Sequence, residues 1–175
     1  MTSYYGTGTG GLAEADLATL NSDTRLVPLK EALASGDFCM AQKLYGLWRV
    51  LSDDIPHTEQ LTPGSLDPAI MSNMVILDVL EQGKDYQWRL FGTAHADQYG
   101  DDLTGRCISA VEAENPSIKA LRRIFDEAIT NANGTFFELH YLSEGQREKV
   151  AAGLMAPLSD KQGRVVQLCG CCDWC

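Results

Sequence analysis

The thiols near the end of the sequence are the residues with the strongest potential for chemistry. Cys169, Cys171, Cys172 and Cys175 fall within a run of seven residues. Thiolates in this number could bind zinc or an iron–sulfur cluster. On a β-strand, however, Cys169 and Cys171 point to one face and Cys172 to the other, so convergence would require the strand to bend. We favour the alternative that these cysteines are small apolar side chains in a buried strand.

Two arginines are candidates for binding an acidic ligand, because the planar guanidinium matches a carboxylate or a phosphate. Arg89 lies in the middle of an alternating apolar segment, and Arg106 follows a glycine. Each arginine has a structural alternative. For Arg89 we favour an ion pair with Asp78 on the neighbouring predicted strand.

Other side chains give little support for a metal site. A lone histidine is more often a surface or hydrogen-bonded residue than a ligand, and the three histidines are far apart in the sequence: His57, His95 and His140. Asp101-Asp102 resembles the start of a calcium loop, but the glycine and the closing glutamate of such a loop are absent. Apart from the C-terminal cysteines, the sequence therefore gives no basis for assigning a metal or a cofactor.

No signature of catalysis is present in the sequence. There is no Gly-x-Ser-x-Gly motif, and no Gly-rich phosphate loop follows a predicted strand. No paired carboxylates and no Cys/His arrangement have the spacing of a catalytic site. The sequence predicts that the protein is not an enzyme.

Charge and composition restrict the partners further. The 175 residues carry a formal net charge of −10, and the lysines and arginines form no cluster. Binding to nucleic acid or to an anionic membrane requires a basic face, so both are excluded. The chain has no apolar run of about 20 residues, and its start lacks the segments of a secretory signal. We predict a soluble, cytoplasmic protein whose cysteines do not form a disulfide framework.

The first third of the sequence is predicted to be helical. Residues 1–11 read as a flexible Gly/Thr-rich tail, residues 12–36 as an N-terminal helical extension, and residues 37–175 as one domain. In the extension, a first helix precedes a second that contains Leu26, Leu29 and Leu33 and ends at Gly36. A third helix has a stripe with spacings of three and four residues: Met40, Leu44, Leu47, Trp48 and Leu51.

The rest of the sequence predicts a sheet with one long helix. Strands are predicted at 74–80 and 86–93, and strict alternation in the second puts Trp88 and Leu90 on one face and Arg89 and Phe91 on the other. An amphipathic helix follows at 117–132. Three strands joined by short polar turns come last, at 135–142, 148–157 and 164–174. This order fits an α+β fold, a five-stranded antiparallel sheet with helices on one face.

Several segments together resemble the PAS superfamily, and most closely the PAS-like single-domain family of alphaproteobacteria. The most specific are Trp88-Arg89-Leu90-Phe91-Gly92-Thr93 and Asp102-Leu103-Thr104-Gly105-Arg106, in that order and at close range. The resemblance covers roughly residues 40–174. It implies a sensory or regulatory module and not an enzyme. Some members hold haem through a helix histidine, but we expect none here.

The resemblance also implies a cavity between the sheet and the long helix. We predict that it binds a small apolar or amphipathic molecule, of unknown identity. The candidate lining residues are apolar or aromatic, with one arginine for an acidic group: Phe91, Tyr99, Ile124, Phe125, Phe137, Leu139, Met155 and Arg89. Binding would shift the N-terminal helices or a homodimer surface that they form. The signal would then pass to a protein partner.

Two alternatives remain open at this point. The first is a ligand-free adaptor with a filled core, whose partner surface would be the outer sheet face or the helices around Trp48. Exposed apolar residues on the N-terminal helices would support it. The second, less favoured, is a metal or redox protein that uses the C-terminal cysteines.

Overall fold

The structure, a computed structural model, describes residues 24–115, 118–142 and 148–174. The predicted tail and the first predicted helix lie outside these residues, as do Cys175 and most of the turn between the fourth and fifth strands. Domain boundaries at residues 11 and 36 stay predictions.

Helices and strands alternate along the described residues in blocks. The helices are α1 (Leu29–Ala34), α2 (Cys39–Leu51), α3 (Pro68–Ser72), α4 (Thr93–Tyr99), α5 (Ile108–Glu114) and α6 (Lys119–Ala128). The strands are β1 (Arg25–Val27), β2 (Met74–Leu80), β3 (Asp85–Phe91), β4 (Thr135–Leu142), β5 (Glu148–Ser159) and β6 (Val165–Trp174). Within the described residues, no helix is both long and apolar enough to cross a bilayer.

All strands join one antiparallel sheet in the order β1-β4-β5-β6-β2-β3. The predicted α+β class is thus confirmed, but the sheet has six strands and not five. The additional strand is β1, where Leu26 pairs with Phe137. The prediction of a helix through Leu26 was wrong. Pro28 disfavours a helical conformation at Val27, so the helix begins only at Leu29.

Helices cover both faces of the sheet, whereas the sequence predicted one covered face. Helix α2 packs on the face that carries Leu154, Ala156 and Leu158, and its Trp48 is buried. The Trp48 indole Nε1 donates a hydrogen bond to the Pro157 carbonyl at 2.9 Å. The opposite face of β5 is also apolar and packs under α6. Because both faces of the central strands are hydrophobic, each must be covered.

A β-bulge in β3 changes the direction of its last side chains. Ile76 pairs with Leu90 and Leu77 with Trp88, so Arg89 is an extra residue opposite β2. An extra residue breaks the alternation of faces. Phe91 therefore lies on the same face as Trp88, with ring centroids 5.9 Å apart. The predicted assignment of these two aromatic residues to opposite faces was wrong.

The turn before α5 holds the bulged strand in place. Trp88 N–H donates to the Arg106 carbonyl at 3.0 Å, and Gly105 N–H donates to the Trp88 carbonyl at 2.6 Å. Phe91 N–H donates to Thr104 Oγ1 at 3.2 Å. The two segments that carry the family resemblance are thus hydrogen-bonded neighbours, and together they fix the edge from which α4 begins.

Candidate functional site

A cavity of about 100 Å³ lies between the sheet and the helices α4 and α6. Most of its wall is apolar or aromatic, with a few polar side chains. The lining residues are Val75, Trp88, Phe91, His95, Gln98, Tyr99, Leu103, Ile118, Ala120, Leu121, Phe125, Phe137, Leu139, His140, Ala151, Met155, Cys172 and Trp174. A concave, mainly apolar site with few polar groups is the usual form of a small-molecule site.

The floor of the cavity is formed where β4, β5 and β6 lie side by side. Gly153 of β5 pairs with Phe137 on one side and Cys172 on the other. A Cβ atom at position 153 would lie 2.5 Å from the Phe137 ring and 2.8 Å from Cys172 Sγ. The absence of a side chain at Gly153 therefore lets the Phe137 ring and the Cys172 thiol approach across the strand.

Six of the eight candidate residues line this cavity: Phe91, Tyr99, Phe125, Phe137, Leu139 and Met155. Ile124 does not, although it is fully buried in the same core. It lies about 100° around α6 from Phe125, which does face the cavity. Contact of these residues with a ligand stays a prediction.

Arg89 lies outside the cavity. The bulge places its side chain at the surface, 60% exposed, where Nε is 2.9 Å from Asp78 Oδ1. The ion pair favoured from the sequence is confirmed. Arg106 is likewise paired, with Glu114 at 2.6 Å.

Sequence reasoning missed four lining residues with distinctive chemistry: His95, His140, Cys172 and Trp174. The alternation of β6 could have indicated the last two, since residues 172 and 174 share a strand face. No sequence pattern indicates that His95 lines the cavity, because the burial of a single histidine in a short helix cannot be inferred from its neighbours.

His95 is the most buried polar side chain in the cavity wall, with 5% of its surface exposed. Its Nε2 lies 2.7 Å from the Asn73 carbonyl oxygen. The ring packs against Trp174, with centroids 5.0 Å apart, and against Phe91 at 5.4 Å. Burial lowers the pKa of His95 to about 4, so the ring is neutral at pH 7. A carbonyl only accepts, so Nε2 carries the proton and Nδ1 is an acceptor.

The cysteines of β6 divide between the two faces of the sheet. Cys169 and Cys171 pack under α2, and Cys172 faces the cavity. Burial raises the pKa of Cys169 and of Cys171 to about 12, and it raises the pKa of Cys172 well above its ordinary value. Thiols in this state are poor nucleophiles and poor metal ligands. Among the described residues, no group of three potential ligands could hold a metal ion.

Haem does not fit this cavity. A volume of about 100 Å³ is enough for a small ring and not for a macrocycle. The Nε2 atom of His95 is also engaged by the Asn73 carbonyl.

The end of β6 connects the cavity to the helix on the other face of the sheet. Cys172 and Trp174 line the cavity. Between them, Asp173 points to α2, where its carboxylate accepts hydrogen bonds from Met40 N at 2.9 Å and Ala41 N at 3.1 Å. The first N–H groups of a helix have no partner within the helix, and a negative charge there is stabilising. Asp173 therefore acts as the N-terminal cap of α2 from a distant strand.

Comparison with known proteins supports a family assignment. The PAS domain family matches residues 39–173. A solved structure described as "Structure of an RNA-binding Light-Oxygen-Voltage Receptor" is similar with a TM-score of 0.44 and 21% sequence identity. The match covers 67% of this chain and 35% of that chain, so it spans about a third of the receptor. No curated protein matches.

The family match extends from the first residue of α2 to Asp173 in β6 and includes both segments that carried the resemblance. It also includes the residues that line the cavity, except Trp174, which directly follows the matched region. PAS domains are generally sensory and signalling modules and not catalysts. The chain belongs to the PAS domain family.

Proposed function

We propose that this protein is a sensory module that binds a small molecule in the cavity between the sheet and α6. It transmits binding to α2 through β6. One observation carries the proposal: of three consecutive residues at the end of β6, two contact the cavity and the one between them contacts the start of α2. Cys172 and Trp174 line the cavity, and Asp173 caps α2.

The transmission follows from the alternation of side chains along β6. A ligand that enters the cavity contacts Trp174 and Cys172, and Asp173 lies between them on the same backbone with its side chain on the opposite face of the sheet. Displacement of β6 changes the distance from the Asp173 carboxylate to the first N–H groups of α2. A ligand shifts an equilibrium only by its differential affinity for two states. Here the two states differ in how well α2 is capped.

Native mass spectrometry of the purified protein, with an absorption spectrum of the same sample, tests whether a ligand is bound. We expect a reproducible additional mass on the native protein. In Ala120→Leu, the larger side chain fills the cavity, and the additional mass should disappear. Lys119→Leu is the matched control, since Lys119 is exposed on the same helix and does not line the cavity. Equal bound mass in the native protein and in Ala120→Leu would contradict a ligand in this cavity.

A ligand-free adaptor is the second candidate. The Trp48 side chain is itself buried between α2 and the sheet, so a partner at the predicted surface would contact the exposed side of α2. Leu29 and Leu33 of α1 are 37% and 46% exposed and lie four residues apart, on one side of the helix. This exposed pair supports a protein contact, and the partner we propose is a second copy of the chain.

The compartment and the remaining partners follow from charge and thiols. Cys39, Cys107, Cys169, Cys171 and Cys172 are all free, which supports a reducing compartment such as the cytoplasm. The RNA binding named for the similar receptor is not proposed here. A net charge of −10 opposes binding to a phosphate backbone.

A further inference from the structure

We propose that the cavity selects a small, neutral aromatic molecule with one hydrogen-bond donor, and that His95 Nδ1 accepts that hydrogen bond. The inference rests on the proposed function, because it names the ligand class of the same cavity. Three features of the wall carry it: its aromatic surfaces, the acceptor on the buried His95 ring, and the absence of lysine and arginine among its lining residues in the described part of the chain.

The aromatic surfaces define the body of the ligand. Trp88, Phe91, Phe125, Phe137 and Trp174 all contribute to the wall. Apolar cavities of about 150 Å³ in other proteins take up benzene, so about 100 Å³ suits one small ring. Aromatic rings attract one another in edge-to-face and offset geometries, and a wall of this kind offers both faces and edges to a bound ring.

The histidine defines the polar group of the ligand. The Asn73 carbonyl fixes the proton of His95 on Nε2, at 2.7 Å, which leaves a lone pair on Nδ1. Within the described residues, Nδ1 forms no hydrogen bond. The side chain is 95% buried, so a ligand that enters the cavity excludes water from this acceptor. Leaving a buried acceptor unsatisfied is costly, and a ligand hydroxyl or ring N–H would satisfy it.

The charges around the cavity exclude an anionic ligand. Among the described residues that line the cavity, none is a lysine or an arginine. Arg89, the arginine that the sequence suggested for binding an acidic group, is at the surface and paired with Asp78 at 2.9 Å. A carboxylate in the cavity would be desolvated with no lysine or arginine among the described lining residues to compensate its charge. The structure therefore favours a phenol over a benzoate.

Calorimetric titration of the full chain with phenol, toluene and benzoate at pH 7.5 tests the inference. Phenol and toluene have nearly the same shape, but toluene is more apolar and would be preferred by a cavity without an acceptor. We expect phenol to bind the native protein at least as tightly as toluene does, and benzoate to show no binding over the same concentrations.

Substitution of the acceptor gives the second part of the test. In His95→Phe, the ratio of phenol affinity to toluene affinity should fall by at least about fivefold, while toluene still binds. In His95→Gln, the side-chain carbonyl can replace the acceptor, and the preference for phenol should be largely retained. If His95→Phe does not fold, the inference is tested by the ratio of phenol affinity to toluene affinity in the native protein and in His95→Gln.

The outcomes separate this inference from the proposed function. Native protein that prefers toluene, or a ratio unchanged in His95→Phe, would overturn the ligand class and leave binding in the cavity intact. Benzoate that binds the native protein more tightly than phenol does would also overturn the ligand class. If no probe binds but native mass spectrometry shows a ligand that Ala120→Leu loses, only the ligand class fails. If no probe binds and no ligand is found, both fail.

Discussion

His95 is almost completely buried, although the ordinary pKa of a histidine lies close to neutral pH. Its pKa is lowered from an ordinary value of 6.5 to about 4 in the folded protein. Between these values the unfolded chain binds the proton and the folded chain does not, so stability falls as the pH falls from 6.5 to 4. The complete loss amounts to about 3 kcal/mol, at about 1.4 kcal/mol per pKa unit.

Urea denaturation of the native protein and of His95→Gln at several pH values between 7.5 and 4.5 measures this loss. The variant should lack the contribution of His95, so the stability difference between the two proteins should shrink or reverse at the lower pH. The other histidines and all carboxylates are present in both proteins, and their titration cancels in the difference. Parallel stability curves would show that His95 is not the buried, neutral group described here.

Arg89 offers a contrasting prediction at the same scale. Its ion pair with Asp78 is largely exposed, and exposed pairs contribute about 0–1 kcal/mol. Arg89→Ala should lower the free energy of unfolding by less than about 1 kcal/mol and leave phenol binding unchanged. Calorimetric titration and urea denaturation of the variant measure both quantities. A loss of ligand affinity would restore the acidic-ligand role that the sequence left open for Arg89.

At the scale of elements, the contact between β6 and α2 is the one on which signalling would depend. The Asp173 carboxylate accepts hydrogen bonds from Met40 N and Ala41 N. Removal of an N-terminal cap costs about 0.5–2 kcal/mol. Asp173→Ala should lose stability in that range, and amide hydrogen exchange should accelerate in the first turn of α2.

The matched control is Asp173→Asn, which keeps an acceptor oxygen but removes the charge that interacts with the helix dipole. In Asp173→Asn, the rate of amide hydrogen exchange in the first turn of α2 should lie between the rates in the native protein and in Asp173→Ala. A further readout connects this contact to the ligand. Phenol should change the exchange of Met40 and Ala41 in the native protein but not in Asp173→Ala, at equal occupancy of the cavity. Unchanged exchange in both proteins would argue against transmission through β6.

At the scale of the whole molecule, the open question is whether two copies associate through α1. Leu29 and Leu33 expose apolar surface there. If a homodimer forms through this helix, Leu33→Lys should convert it to a monomer, because a charge in the contact would be desolvated. Light scattering at micromolar concentrations measures the mass.

Val50→Lys serves as the control for this experiment, since Val50 is also exposed, at 80%, but belongs to α2. It should leave the mass unchanged. A native protein with the mass of one chain at all concentrations would exclude a stable dimer. A dimer that persists in Leu33→Lys would place the contact elsewhere.

Much of the fold could be read from the sequence because the relevant signals are local. The alternation of residues in β4, β5 and β6 and the short polar turn after β5 specify antiparallel neighbours. The apolar stripe of α6 specifies which side meets the sheet. The ion pair of Arg89 with Asp78 was also predictable, since two adjacent strands bring mid-strand residues together. The family resemblance rested on short segments of the same kind.

What only the tertiary structure decided depends on contacts between distant segments. The bulge at Arg89 results from the pairing of β3 with β2, and it alone brings Phe91 into the cavity. The cap of α2 joins residues 133 positions apart. The burial of His95 comes from Trp174, a residue at the far end of the chain. Local patterns determine periodicity and turns, but register and burial are set by which surfaces meet. The sequence therefore determined the family and five of the six strands, and the packing of distant elements determined the added strand, the bulge and the chemistry of the cavity.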